Sequence, residues 1–137
     1  MKNILVLCTG NSCRSQIAEG YLKHFAKAKA NIYSAGVETH GVNPTAIATM
    51  LEDGIDLSNH TSNNVDEYAT IKFDYIITVC DNAKERCPYI PSDAKRFHYN
   101  FPDPAKATGT EDEIKAQFAE VRELIKVYCQ KFVETNL

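Results

Sequence analysis

The sequence predicts a doubly wound α/β fold, a three-layer α/β/α sandwich around a four-stranded parallel sheet. Three observations carry that expectation. Ile4-Leu5-Val6-Leu7 and Phe73-Asp74-Tyr75-Ile76-Ile77-Thr78-Val79 are nearly continuous apolar runs of strand length, the pattern of strands buried on both faces. Apolar residues recur at helical spacing between such runs, beginning with Ile17, Ala18, Tyr21, Leu22 and Phe25. Strands that alternate with helices in this way build parallel sheets with helices on their faces.

Taken in order, residues 2–7 read as the first strand and residues 15–28 as the first helix, with Lys and His on its outer face. Asn31-Ile32-Tyr33-Ser34-Ala35-Gly36 reads as a second strand ending at a glycine. Gly41 to Pro44 is a turn; Pro44 suits the first position of a helix running to about Asp53, and Gly54 ends it. An extended connection follows over 55–61, then a short helix near 65–70. Residues 73–79 are the third strand, residues 81–87 a polar helical turn stopped by Pro88, and Lys95 to Phe101 a fourth strand. Thr110 and Glu113 have capping-box spacing. They open a long helix whose apolar face is Ile114, Phe118, Val121, Ile125, Tyr128 and Phe132. The acids Glu111-Asp112-Glu113 suit that helix's N-terminus. No repeat, low-complexity stretch or linker divides the chain, so one domain over 1–137 is expected.

Composition narrows the function classes. A chain of 137 residues with 44% hydrophobic content can bury a proper core. A net charge of −3 gives no general attraction to nucleic acid or membrane. The apolar run at 4–7 is too short for a signal peptide or a membrane span, which predicts a cytoplasmic protein. Five cysteines in a reducing compartment do not suggest a static disulfide framework, and no Cys-x2-Cys pair suggests zinc. His24, His40, His60 and His98 lack metal-ligand spacing; His60 reads as a loop hydrogen-bonding residue.

The chemistry concentrates in Cys8-Thr9-Gly10-Asn11-Ser12-Cys13-Arg14-Ser15, a loop of small residues between the first strand and the first helix. Such a loop can turn successive backbone N–H groups inward, and the helix N-terminus adds partial positive charge. Residues 9–15 are therefore the expected oxyanion cradle. A thiol at Cys8 should ionise there at neutral pH and act as a nucleophile. Arg14 can hold two oxygens of a tetrahedral anion in a fork. Ser12 and Ser15 suit either hydrogen bonds to the anion or ordinary helix capping. Cys13 reads as a filler pointing away from the anion. A second Cys-x5-Arg match, Cys80 to Arg86, encloses no glycine and two acids, and reads as an accident.

In doubly wound sheets ligands bind beyond the carboxyl ends of the strands. Cys8, Cys80 and Asp103 all fall at that edge. Asp103 lies between Pro102 and Pro104, which restrict it to an extended loop. It suits a general acid that protonates a departing oxygen, or a simple turn aspartate. Cys80 and Cys87 stand seven apart. In an intact helix their Cα atoms would be about 10.5 Å apart, against roughly 4.4–6.8 Å in a disulfide. They are either a redox pair that needs the segment between them to unwind, or two unrelated surface thiols. Cys129 reads as a core cysteine of the last helix.

The opening motif with Gln16 and Ala18-Glu19 resembles the thioredoxin-coupled arsenate reductases of the low-molecular-weight tyrosine phosphatase superfamily. The resemblance continues through Tyr33-Ser34-Ala35-Gly36, Glu38-Thr39-His40-Gly41-Val42-Asn43-Pro44 and Asn59-His60-Thr61-Ser62. It goes on to Thr78-Val79-Cys80, Cys87-Pro88 and Asp103-Pro104-Ala105, nearly the whole chain. It implies that Cys8 attacks arsenate held by the loop and Arg14, and that Asp103 protonates the leaving oxygen. Cys80 then attacks Cys8, Cys87 attacks Cys80, and thioredoxin reduces the final Cys80–Cys87 disulfide. No metal or flavin is needed, and a monomer is expected. Some members bind potassium, and Asn11, Glu19 and Ser34 match three of those ligand positions. The fourth, acidic position is Asn63 here, a departure from the pattern. The segment Lys106 to Glu113 is also longer than in shorter relatives.

Two other readings use the same residues. A protein-tyrosine phosphatase would employ Cys8, Arg14 and Asp103, with water as the second attacker. It leaves Cys80 and Cys87 idle, and Ala105 and Lys106 stand where such phosphatases usually carry aromatic residues. An arsenite-binding or redox-sensing protein would leave Arg14 and Asp103 unexplained.

Overall fold

The computed structural model describes residues 1–80 and 90–137. Four strands, β1 (Lys2–Cys8), β2 (Ala30–Gly36), β3 (Tyr75–Thr78) and β4 (Lys95–His98), form one parallel sheet in the order β2-β1-β3-β4. The helices are α1 (Arg14–Ala26), α2 (Pro44–Glu52) and α3 (Glu111–Asn136). Among the described residues none is long and apolar enough to cross a membrane.

The unbroken apolar run of β1 has its cause in the central position of that strand. Ile4, Leu5, Val6 and Leu7 are all fully buried because both faces of the sheet are covered. Ile4 and Val6 join the core formed with α1, α2 and α3, including Tyr21, Met50, Phe118 and Ile125. Leu5 and Leu7 join a smaller core with Ala35, Phe73 and Ile76. Among the described residues that second face is covered by the single-turn helix Val65–Tyr68 and by Ile71, Ile90 and Ala94.

Helix ends follow the sequence signals. Asn43 caps α2 by accepting from Thr45 N and Ala46 N, with Pro44 in the first position. Gly54, at φ +77, receives the chain after α2. Thr110 and Glu113 make both bonds of the capping box. On α3, Phe118, Val121, Ile125 and Phe132 are buried as expected, and so are Cys129 and Val133.

Two strands are shorter than their apolar runs. The third spans Tyr75–Thr78 rather than 73–79, and the fourth stops at His98 rather than Phe101. Tyr99 N still donates to Thr78 O at 2.9 Å, but once β3 ends there is no ladder for residues 100 and 101 to join. Phe101 turns into the core instead, tilted against the Tyr99 ring and edge-on to Tyr128. Lys95 and Arg96 keep the exposed edge strand charged, which guards it against pairing with another chain. The polar turn read at 81–87, with Cys87, lies outside the described residues.

Candidate active site: an anion cup at the carboxyl edge of the sheet

The loop from Cys8 to Arg14 has its carbonyls drawn outward by the rest of the molecule. Thr9 O accepts from Glu38 N at 3.0 Å and Gly10 O from His40 N at 3.1 Å. Asn11 O accepts from the Gln16 side chain at 3.1 Å, and Ser12 O from Asn43 N at 3.1 Å. Consecutive carbonyls tied to the outside leave the loop's N–H groups available to the enclosed space, the arrangement that anion binding requires. Asn11 makes the turn at φ 48, a left-handed conformation that Asn tolerates better than most residues. A Cβ at Gly10 would come within 2.6 Å of His40 Nδ1 and would have to push the exposed His40 ring away from the loop.

A second layer holds this loop in shape. Asn11 Nδ2 donates to Ser15 Oγ at 2.8 Å and to Ser34 Oγ at 2.9 Å, while its Oδ1 accepts from Asn63 N at 2.7 Å. Gln16 Nε2 also donates to Thr61 O at 2.9 Å, and Gln16 Oε1 meets His60 Nδ1 at 3.0 Å. Burial keeps the His60 ring below the ordinary histidine pKa, against the pull of the neighbouring Glu19. His60 is therefore the loop hydrogen-bonding residue its sequence context suggested. Beyond His60, the bonds that Gln16 and residues 61–63 make to the loop join positions far apart in the chain, which no local pattern indicates.

α1 differs from the other two helices at its start. No side chain caps its N-terminus, and its first turn carries no acid. α2 and α3 are both capped, and α3 has three acids in its first turn. The helix end that faces the cup is thus left for an incoming anion. Ser15 is fully buried and bonded to Asn11, so neither it nor Ser12 serves as a cap for α1.

The cup is a cavity of about 260 Å³ lined by Cys8, Thr9, Gly10, Ser12, Cys13, Arg14 and, at its rim, His40, Asp103, Ala105 and Lys106. Asn11 and Ser15 lie beneath it and do not line it. Cys13, which the sequence read as a filler, lies in the wall of the cavity and is buried. Its thiol is pushed up to about 12, by burial first and then by the Asp103 carboxylate. Arg14 is buried; its Nη1 donates to Phe101 O at 3.4 Å and its Nη2 stands 3.6 Å from Asp103 Oδ2. Asp103 does two things at once. Oδ1 accepts from Ala105 N at 3.0 Å, closing the turn, and Oδ2 faces the cup and Arg14.

The four cysteines among the described residues fall into two states. Cys8, Cys13 and Cys129 are thiols, and Cys80 is disulfide-bonded. Cys80 is fully buried just beyond β3, and the bond from Val79 N to Leu7 O brings it to the same sheet edge as Cys8. Cys129 is buried under α1, with Sγ 3.7 Å from Ala18 O, and burial pushes its thiol far up. It is the core cysteine that its place on α3 suggested.

Asn11, Glu19 and Ser34, the three positions matched to potassium ligands, adjoin one another. Their bonding does not suit a further cation. The Ser34 hydroxyl donates to Glu19 Oε1, and Lys23 Nζ sits 2.5 Å from Glu19 Oε2. Because the Asn63 N–H claims the Asn11 carbonyl oxygen, Asn11 turns its NH2 group, a donor, toward Ser34. The carboxylate is already matched by a tethered ammonium.

A family model described as low molecular weight phosphotyrosine protein phosphatase matches residues 3–137. An arsenate reductase of Bacillus licheniformis is 48% identical over 135 residues, covering 98% of this chain and 97% of the relative. One from Bacillus subtilis is 47% identical with the same coverage. A solved structure of an arsenate reductase in its oxidized state superposes with a TM-score of 0.82 at 28% identity, covering 98% of both chains.

Proposed function

The chain belongs to the low molecular weight phosphotyrosine protein phosphatase family, and on that footing we propose that it reduces arsenate to arsenite through Cys8, Cys80 and Cys87. Arsenate sits in the cup with its oxygens on the loop N–H groups and on the Arg14 guanidinium. Cys8 Sγ attacks arsenic, and one oxygen leaves as water with the proton supplied by Asp103. Cys80 Sγ then attacks Cys8 Sγ. The S–As bond breaks and its electron pair passes to arsenic, which departs as As(III). Cys87 displaces Cys8 from the Cys8–Cys80 disulfide and restores the nucleophile. The dithiol of thioredoxin reduces the Cys80–Cys87 pair, so two thiols supply the two electrons. The same reading places the protein in the cytoplasm, acting as a monomer.

The observation that carries this reading is the state of Cys80. It is disulfide-bonded while Cys8, at the neighbouring strand end, remains a thiol. A thiol relay needs a second cysteine at that edge able to enter a disulfide, and simple phosphate ester hydrolysis has no use for one. The experiment is a coupled assay with reduced protein, arsenate, thioredoxin, thioredoxin reductase and NADPH. Sustained, arsenate-dependent NADPH oxidation is expected. Cys87→Ser should release one arsenite per chain and then stop, while hydrolysis of an aryl phosphate, which needs only the cup, continues. Sustained arsenate turnover by Cys87→Ser would overturn the relay.

Potassium has no step in this mechanism, because Lys23 already answers Glu19. The thermal midpoint should agree within about 1 °C between matched potassium and sodium chloride, since an ion without a native-state site shifts no equilibrium. A rise of several degrees in potassium alone would show that the ion displaces Lys23.

A further inference from the structure

Among the described residues, two basic side chains stand at the rim of the cup, His40 and Lys106. They differ in what surrounds them. His40 Nε2 lies 2.8 Å from Glu38 Oε2, so a charge on that ring is matched locally. Lys106 has no carboxylate at ion-pairing distance among the described residues. It closes the single-turn helix Pro104–Lys106, and its backbone N–H donates to Asp103 O at 3.2 Å. The prolines at 102 and 104 restrict the backbone here. The position that bears the ammonium is therefore tied to the position that bears the carboxyl at the cup.

We propose that Lys106 is a specificity-determining residue: its ammonium engages the outward oxygen of an inorganic tetrahedral oxyanion and so favours the free anion over a phosphate monoester. The proposal rests on the oxyanion chemistry proposed above. Displacement by Cys8 is in line, so the oxygen that departs points away from Cys8 and toward the rim, where Asp103 and Lys106 stand. In arsenate or phosphate that oxygen is small and polar, and a compact, strongly hydrated ammonium can approach it. In a monoester the same oxygen carries the organic group, which must occupy the space beside Lys106. The neighbouring rim residue, Ala105, offers a methyl group and no ring surface to an aryl ester. Because Lys106 is exposed, its attraction acts on binding through solvent and is weakened by salt.

The test reads binding directly. Protein reduced with a phosphine is treated with iodoacetamide, and alkylation of Cys8 is followed by peptide mass mapping against rising inorganic phosphate or arsenate. Lys106→Ala should raise the anion concentration for half-protection about five- to tenfold at low salt, and Lys106→Arg should restore most of it. The difference should shrink at about 1 M sodium chloride, where the screening length is about 3 Å. Hydrolysis of p-nitrophenyl phosphate by Lys106→Ala should keep its kcat/KM within about twofold of the wild type or exceed it. Equal protection of the wild type and Lys106→Ala would overturn the proposal and leave the cup intact. So would equal losses toward the free anion and the aryl ester. If neither anion protects Cys8 in the wild type, the oxyanion reading and this proposal fall together.

Discussion

Cys8→Ser should end arsenite formation, with a loss on the order of 10⁴-fold or more, because in the proposed relay this residue supplies both the nucleophile and the sulfur that Cys80 attacks. Serine keeps the shape of the loop but cannot form the S–As bond or a disulfide. The loss should therefore come without a loss of fold. The outward bonds of Thr9, Gly10, Asn11 and Ser12 do not pass through the Cys8 side chain, so the thermal midpoint should move little. Cys13→Ser is the control. Cys13 lines the same cup, yet burial and Asp103 push its thiol up to about 12, so it holds almost no thiolate at neutral pH. Its variant should retain arsenate reduction within about threefold, as for a residue outside the chemical steps. Single-turnover arsenite release by the two variants measures the contrast. Comparable losses in both would mean that the loop as a whole, rather than the Cys8 sulfur, limits the reaction.

Arg14→Lys should lower kcat/KM for arsenate by about 10²–10³-fold, the cost of removing a preorganised donor pair from an oxyanion site. Charge is conserved in this change, so the loss isolates geometry. Arg14 spans from Phe101 O to Asp103 Oδ2 with its two terminal nitrogens, and a lysine has one. A planar fork can hold two substrate oxygens while staying aligned with Asp103; a single ammonium cannot. The effect should appear in kcat as well as KM, because charge on those oxygens changes during displacement. Steady-state kinetics with a circular dichroism melt separates this from unfolding. A variant within about fivefold of the wild type would show that Arg14 acts as a charge alone.

The anion cup was readable in the sequence because its causes are local. An apolar run, a loop of small residues and a helix at 3.6 spacing follow one another within residues 4–25, and each is set by its own residue types. The same holds for the Asn43–Pro44 start of α2, the Thr110–Glu113 box of α3 and the proline-bracketed Asp103. Even the strand ends that were read too long reflect a local signal overridden at a distance. Phe101 is apolar enough for a strand, but only the end of β3 decides that it packs inward.

Local pattern thus predicted the α/β class and singled out Cys8, Arg14 and Asp103, which the fold gathers around one cavity. Contacts between residues far apart in the chain established the rest. The parallel register of β2, β1 and β3 brings residues 34–40 and 60–63 against a loop formed at 8–14. Only then do Gln16 and Asn63 become the support of the loop, His40 and Lys106 its rim, and Lys23 the partner of a carboxylate that another fold member could give to an ion. Spacing along a chain specifies a helix or a loop, because those depend on near neighbours. Which side chains share a cavity depends on sheet order and loop closure, and these are settled when the whole core is buried.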